Sequence, residues 1–90
     1  MSMAIITGAS SGLGREYALA ACRQHPEIEE FVLIARRADR LESLSKELTG
    51  KKTTILPADL TKKEDRAGIA DYLRQNAADV RLLINTRASA

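Results

Sequence analysis

The chain is poor in residues that would give it chemistry of its own. Its 90 residues include no tryptophan, one cysteine, one histidine and three aromatic side chains, Tyr17, Phe31 and Tyr72. A single thiol, Cys22, rules out an internal disulfide and a thiolate metal cluster. Cys22 falls among alanines of a helical stretch and reads as a small buried apolar group. His25 stands before Pro26 at a helix end, where a cation suits the dipole. It has no partner in the chain for metal or acid–base work. With aromatics scarce, the core must come from Ile, Leu, Val and Ala. No apolar run reaches the roughly 20 residues of a membrane span. No charged segment leads into an apolar one as in a secretory leader, so the cytoplasm is the expected compartment. An excess of either charge is also missing. The 14 basic and 12 acidic residues leave a net +2 and are interleaved, which is not the footprint of a nucleic-acid binder.

What is present is globular. Apolar residues make up 44% and charged residues 29%, a balance that folds rather than stays disordered. Ninety residues make one small domain or part of one, marginal alone.

Apolar runs alternate with helical patterns. A strand is expected at about residues 2–7 and a helix over 12–24, with Leu13, Tyr17 and Ala21 on one stripe and Ala18 and Cys22 beside it. A second strand, Phe31-Val32-Leu33-Ile34-Ala35, precedes a helix carrying Leu41, Leu44 and Leu48 on one face. Asp39 with Glu42 reads as its capping box, and Gly50 as its stop. Thr53-Thr54-Ile55-Leu56 forms a third strand closed by Pro57. Thr61 with Glu64 reads as a second capping box, opening a helix to about residue 77 with Ile69, Leu73 and Ala77 on a thin apolar face. Val80-Arg81-Leu82-Leu83-Ile84 is the last strand, ending at Asn85. The order β-α-β-α-β-α-β implies a parallel sheet with right-handed crossovers. It is the N-terminal half of a Rossmann-type doubly wound α/β fold, truncated, with expected strand order 3-2-1-4.

The stretch Thr7-Gly8-Ala9-Ser10-Ser11-Gly12-Leu13-Gly14 joins the first strand to the first helix. Glycines permit a tight turn and close backbone approach. The free N–H groups and dipole of a helix start attract an anion. Gly8 lets the strand end turn, Gly12 lets the backbone approach a diphosphate, and Gly14 removes a side chain where helix and strand meet. Ser10 and Ser11 either cap the helix or reach phosphate oxygens. At the end of the second strand, where an acid would take the ribose 2′-hydroxyl of NAD, the chain has Arg36-Arg37. A guanidinium there grips a 2′-phosphate; the bland alternative is a pair of surface arginines.

The string TGASSGLGR, from Thr7 to Arg15, resembles the T-G-x-x-x-G-x-G cofactor loop of the short-chain dehydrogenase/reductase family. The resemblance covers about residues 3–85, the first part of a family member. It implies that Thr7, Gly8, Ser10, Ser11, Gly12, Leu13 and Gly14 wrap the pyrophosphate of NAD or NADP. It also implies that Arg36, assisted by Arg37, selects NADP, with NAD less favoured. Asp59-Leu60 is similar to the family's Asp-[Leu/Val] step, whose aspartate contacts the adenine amino group; alternatively Asp59 simply initiates the next helix. Asn85 matches the first asparagine of the family's N-N-A-G strand end, which steadies the sheet and borders the cofactor. The resemblance further implies a small-molecule dinucleotide as partner and homo-oligomers among full-length relatives; the charge balance and the lack of a long apolar run lead us to expect neither nucleic acid nor membrane as partner. On this reading residues 1–90 form an incomplete NAD(P)-binding half-domain.

After Asn85 the pattern departs from the family. The chain reads Thr86-Arg87-Ala88-Ser89-Ala90 where N-A-G and its continuation would run. Deleting one A from AAC AAC GCG GGC TTC GGC, which encodes Asn-Asn-Ala-Gly-Phe-Gly, yields Asn-Thr-Arg-Ala-Ser-Ala. A one-base frameshift at the Asn85–Thr86 boundary is the expected origin of this tail. The family's catalytic serine and Y-x-x-x-K pair have no counterpart here. Four residues after Tyr17 is Ala21, and four after Tyr72 is Asn76. Three functions stay open: an NADP-dependent reductase by descent, a non-catalytic NADP-binding module, and a non-functional truncated product. The 90-residue chain itself is expected to be inactive.

Overall fold

A strand with no polar side chain on either side is stable only when both its faces are covered. Met3-Ala4-Ile5-Ile6 and Phe31-Val32-Leu33-Ile34-Ala35 meet that condition, and both occupy the middle of a sheet. The computed structural model describes residues 2–8, 12–48 and 50–85. Its elements run β1 (Met3–Thr7), α1 (Gly12–Gln24), β2 (Glu30–Ala35), α2 (Ala38–Glu47), β3 (Lys52–Pro57), α3 (Lys63–Gln75) and β4 (Val80–Asn85). The four strands form one sheet in the order β3-β2-β1-β4, and every pairing is parallel. Every residue of β1 and β2 is buried.

The pleat divides these strands between two cores. Ala4, Ile6, Phe31, Leu33 and Ala35 face α1 and α2, joining Ala18, Ala21, Leu41, Leu44 and Leu48. Met3, Ile5, Val32 and Ile34 face the other way, with Ile69, Tyr72 and Leu73 of α3 packed against them. β4 shows how a sheet edge adapts. Met3 pairs with Val80 but Ala4 pairs with Leu82, so Arg81 is an extra residue in the ladder. This bulge lets Val80 join the α3 core while Leu82 and Ile84 join the other. Strict alternation would have put all three on one face.

Three details differ from expectation. In α1 the buried residues are Gly14, Ala18 and Ala21, while Leu13 and Tyr17 are 58% and 45% exposed. The helix turns its smallest residues to the sheet, since small side chains let the two backbones approach. Neither expected capping box forms. The N-caps are Arg37 and Lys62, and neither makes a side-chain capping bond. Asp39 instead lies inside the first turn of α2, and the Thr61 hydroxyl donates to Asp59 at 2.6 Å. Finally, α3 stops at Gln75, leaving Ala77 exposed in the following turn.

Among the described residues, no helix is long and apolar enough to cross a membrane.

Candidate dinucleotide site

All four strands run the same way, so their carboxyl ends lie along one edge of the sheet. That edge is where open α/β sheets bind ligands. Of the residues marked out by the sequence, Thr7, Gly8, Arg36, Asp59 and Asn85 lie at or just beyond those strand ends. Thr7 ends β1 and pairs in register with Asn85, the end of β4. The buried Thr7 hydroxyl donates to Asn85 Oδ1 at 2.6 Å, tying the two strand ends together. Gly8 follows at φ 70, in the left-handed region that glycine enters without steric cost. Its N–H donates to the Ile34 carbonyl at 2.8 Å, which turns the chain over β2. Ser10 and Ser11 lie outside the described residues.

α1 then begins at Gly12. A Cβ placed on Gly12 would meet no described atom within 4 Å, so nothing in the described chain itself requires glycine there. Gly14 is buried in the first turn, and Leu13 between them is exposed. The three helix starts differ in charge. α2 carries Asp39 in its first turn and α3 carries Glu64 and Asp65, whereas α1 carries no acid. An acid in the first turn answers a helix's own dipole. The start of α1 leaves that field unanswered by its own first turn, as suits an external anion.

The two arginines after β2 separate. Arg37 faces Asp39, with Nε 3.5 Å from Oδ1 and Nη2 3.4 Å from Oδ2. The Arg37 guanidinium thereby holds the Asp39 carboxyl below its usual range. Arg36 makes no hydrogen bond or ion pair with any described residue. It lines an open recess of about 290 Å³ together with Pro57, Ala58, Asp59 and Asp65. That volume lies at the small end of ligand pockets, which begin near about 300 Å³.

The floor of the recess is the β3–α3 loop, and its hydrogen bonds are well satisfied. The Ala58 N–H donates to the Ala35 carbonyl at 2.9 Å and the Lys62 N–H to the Asp59 carbonyl at 2.9 Å. Asp59 Oδ1 accepts from the Thr61 N–H at 3.0 Å and from its hydroxyl at 2.6 Å. These two bonds, hydroxyl first, lower the Asp59 pKa, with Arg36 adding its charge. Asp59 is thus an anion whose second oxygen makes no bond to a described residue. Leu60 does something different. Its side chain packs against the α3-side core, and its carbonyl accepts from Arg66 Nη1 at 3.0 Å.

The sequence therefore indicated Arg36 and Asp59 in the recess but not Pro57, Ala58 or Asp65. Asp65 could have been singled out as an acid six residues beyond a loop aspartate, but that spacing equally marks an ordinary first-turn acid. Among the described residues, no group of three or more His, Cys, Asp and Glu side chains converges as metal ligands do.

Known proteins share this fold. The family profile described as short chain dehydrogenase matches residues 2–89. A very-long-chain 3-oxoacyl-CoA reductase from Aspergillus terreus is 39% identical over 92 residues, a match covering 93% of this chain and 24% of that protein. A solved short-chain dehydrogenase from Sphingobium yanoikuyae, in complex with NADPH, has a TM-score of 0.85 and 36% identity; the match covers 100% of this chain and 35% of that one. The bulky-bulky ketone specific alcohol dehydrogenase from Comamonas testosteroni also gives 0.85, at 32% identity, covering 100% of this chain and 37% of that one. The chain thus spans between 24% and 37% of the length of these relatives.

Proposed function

The chain belongs to the short-chain dehydrogenase family, and on that footing we propose that residues 1–90 form the NADP-binding half-domain of an oxidoreductase. The diphosphate lies over the Gly8–Gly14 turn and the start of α1, with Thr7, Ser10, Ser11, Gly12 and Leu13 around it. The adenine enters the recess beside Asp59, whose free carboxylate oxygen accepts from the adenine amino group. Leu60 supports that loop from below. Arg36 takes the 2′-phosphate, Arg37 flanks it from its bridge to Asp39, and Asn85 borders the cofactor from β4. Bound NADP supplies the hydride chemistry of the family, exchanged with a carbonyl or alcohol carbon. No residue of this chain is assigned a catalytic role, because neither tyrosine has a lysine four residues on.

The observation that carries the choice of NADP is the state of Arg36. It follows the end of β2, where NAD-selective folds place an acid, it lines the recess with Asp59, and it makes no hydrogen bond or ion pair with a described residue. A guanidinium whose fork no described residue fills is ready for a phosphate. The NADPH carried by the Sphingobium relative agrees with this reading.

The experiment is Arg36→Asp, with NADP and NAD binding measured side by side. The preference should move toward NAD by tenfold or more, since about 1.4 kcal/mol is a factor of ten. An unchanged preference would refute the role of Arg36.

A further inference from the structure

We infer that Asp65 is a positioning residue for the adenine recess, acting through the backbone of Asp59; this rests on the dinucleotide reading above. Asp65 Oδ2 accepts the Asp59 N–H at 2.7 Å, and the next residue, Arg66, donates from Nη1 to the Leu60 carbonyl at 3.0 Å. Two consecutive side chains in the first turn of α3 therefore hold the N–H and the C=O of two consecutive loop residues. Nothing in the sheet does this. The last strand-type bond on this side is Ala58 N–H to Ala35, so Asp59 and Leu60 lie beyond the ladder.

The clamp fixes a particular geometry. With its N–H held by Asp65 and its C=O held by the Lys62 N–H, the Asp59 backbone has little rotational freedom left. Its side chain is pinned at Oδ1 by Thr61. The remaining oxygen makes no bond to a described residue, and Asp59 lines the recess together with Arg36 and Asp65. A hydrogen bond to a charged acceptor contributes more than a neutral one, and an acid in the first turn also suits the α3 dipole. Asp65 thus serves the helix and the loop with one carboxylate. Asn can replace it at the loop, because its amide oxygen still accepts the Asp59 N–H. Ala cannot.

The test uses the 90-residue chain with 5′-AMP as probe, plus hydrogen exchange of the Asp59 amide. In Asp65→Ala, 5′-AMP binding should weaken by about five- to tenfold, roughly the loss of one hydrogen bond, and the Asp59 amide should exchange faster. Asp65→Asn should recover a clear part of both, short of the parent values because its acceptor is neutral. Arg66→Ala should weaken 5′-AMP in the same direction by a smaller factor, and it keeps the inference testable if Asp65→Ala does not fold. Unchanged 5′-AMP binding in Asp65→Ala, or an Asn variant as weak as the Ala variant, overturns the inference and leaves the dinucleotide reading standing. No 5′-AMP binding by the parent chain overturns both.

Discussion

The two faces of the sheet are closed to very different degrees. On the α1–α2 face, eleven residues from strands, helices and loops form one buried cluster. On the α3 face, four apolar strand residues, Met3, Ile5, Val32 and Ile34, are buried, and no residue of α3 is. Leu83, which pairs with Ile5 on that face, is 54% exposed. The same strands serve both faces, so strand composition does not explain the difference. The covering helices do. α2 offers Leu41, Leu44 and Leu48 at helical spacing, and α1 offers alanines that bring it close. α3 offers Ile69, Tyr72 and Leu73 among charged neighbours. Stability should therefore reside on one face, and the Asp59–Leu60 loop lies on the other. Binding loops are commonly drawn from the less stable part of a fold.

Substitutions can break this contrast. Phe31→Ala, in the closed core, should cost about 3–5 kcal/mol. That is a large share of the roughly 5–15 kcal/mol of a small domain, and a urea melt should find little cooperative transition left. Ala18→Leu should cost about 1–3 kcal/mol by forcing α1 off the sheet, again by urea melt. Ile69→Ala, on the open face, should cost about 1 kcal/mol. Leu83→Thr should stay within about 0.5 kcal/mol. A loss at Leu83 as large as at Phe31 would mean that the two faces do not differ as described.

The smallest effect concerns pH. Asp59 has a lowered pKa in the folded chain, chiefly through the Thr61 hydroxyl. A lowered folded pKa stabilises the fold above the unfolded value, and that contribution is lost as pH falls through the folded value. Thr61→Val removes the larger cause, so Asp59 should titrate closer to the ordinary 3.8 in a carboxyl-carbon NMR titration. An unmoved titration would contradict the Thr61 contact.

The strands, their order and the glycine turn were legible because burial on both faces leaves a plain signature in Met3–Ile6 and Phe31–Ala35. The positions of Arg36 and Asp59 just beyond β2 and β3 were legible because strand ends are fixed by the same signature. What was not legible depends on three-dimensional competition. Leu13 and Tyr17 look like a core stripe, but alanines win the sheet-facing side because they permit closer approach. The capping boxes match a pattern, yet Thr61 is taken by Asp59 and Asp39 lies beside Arg37. The bulge at Arg81 and the Asp65 clamp arise from partners that no local spacing reveals.

The proposed role of Arg36 is to hold the 2′-phosphate of a dinucleotide. The most direct measurement is calorimetric titration of the chain with 2′,5′-ADP and with 5′-AMP at matched salt. 2′,5′-ADP should bind at least about tenfold more tightly, with the advantage shrinking as salt screens the exposed guanidinium. Equal affinity for the two, or tighter binding of 5′-AMP, would contradict it.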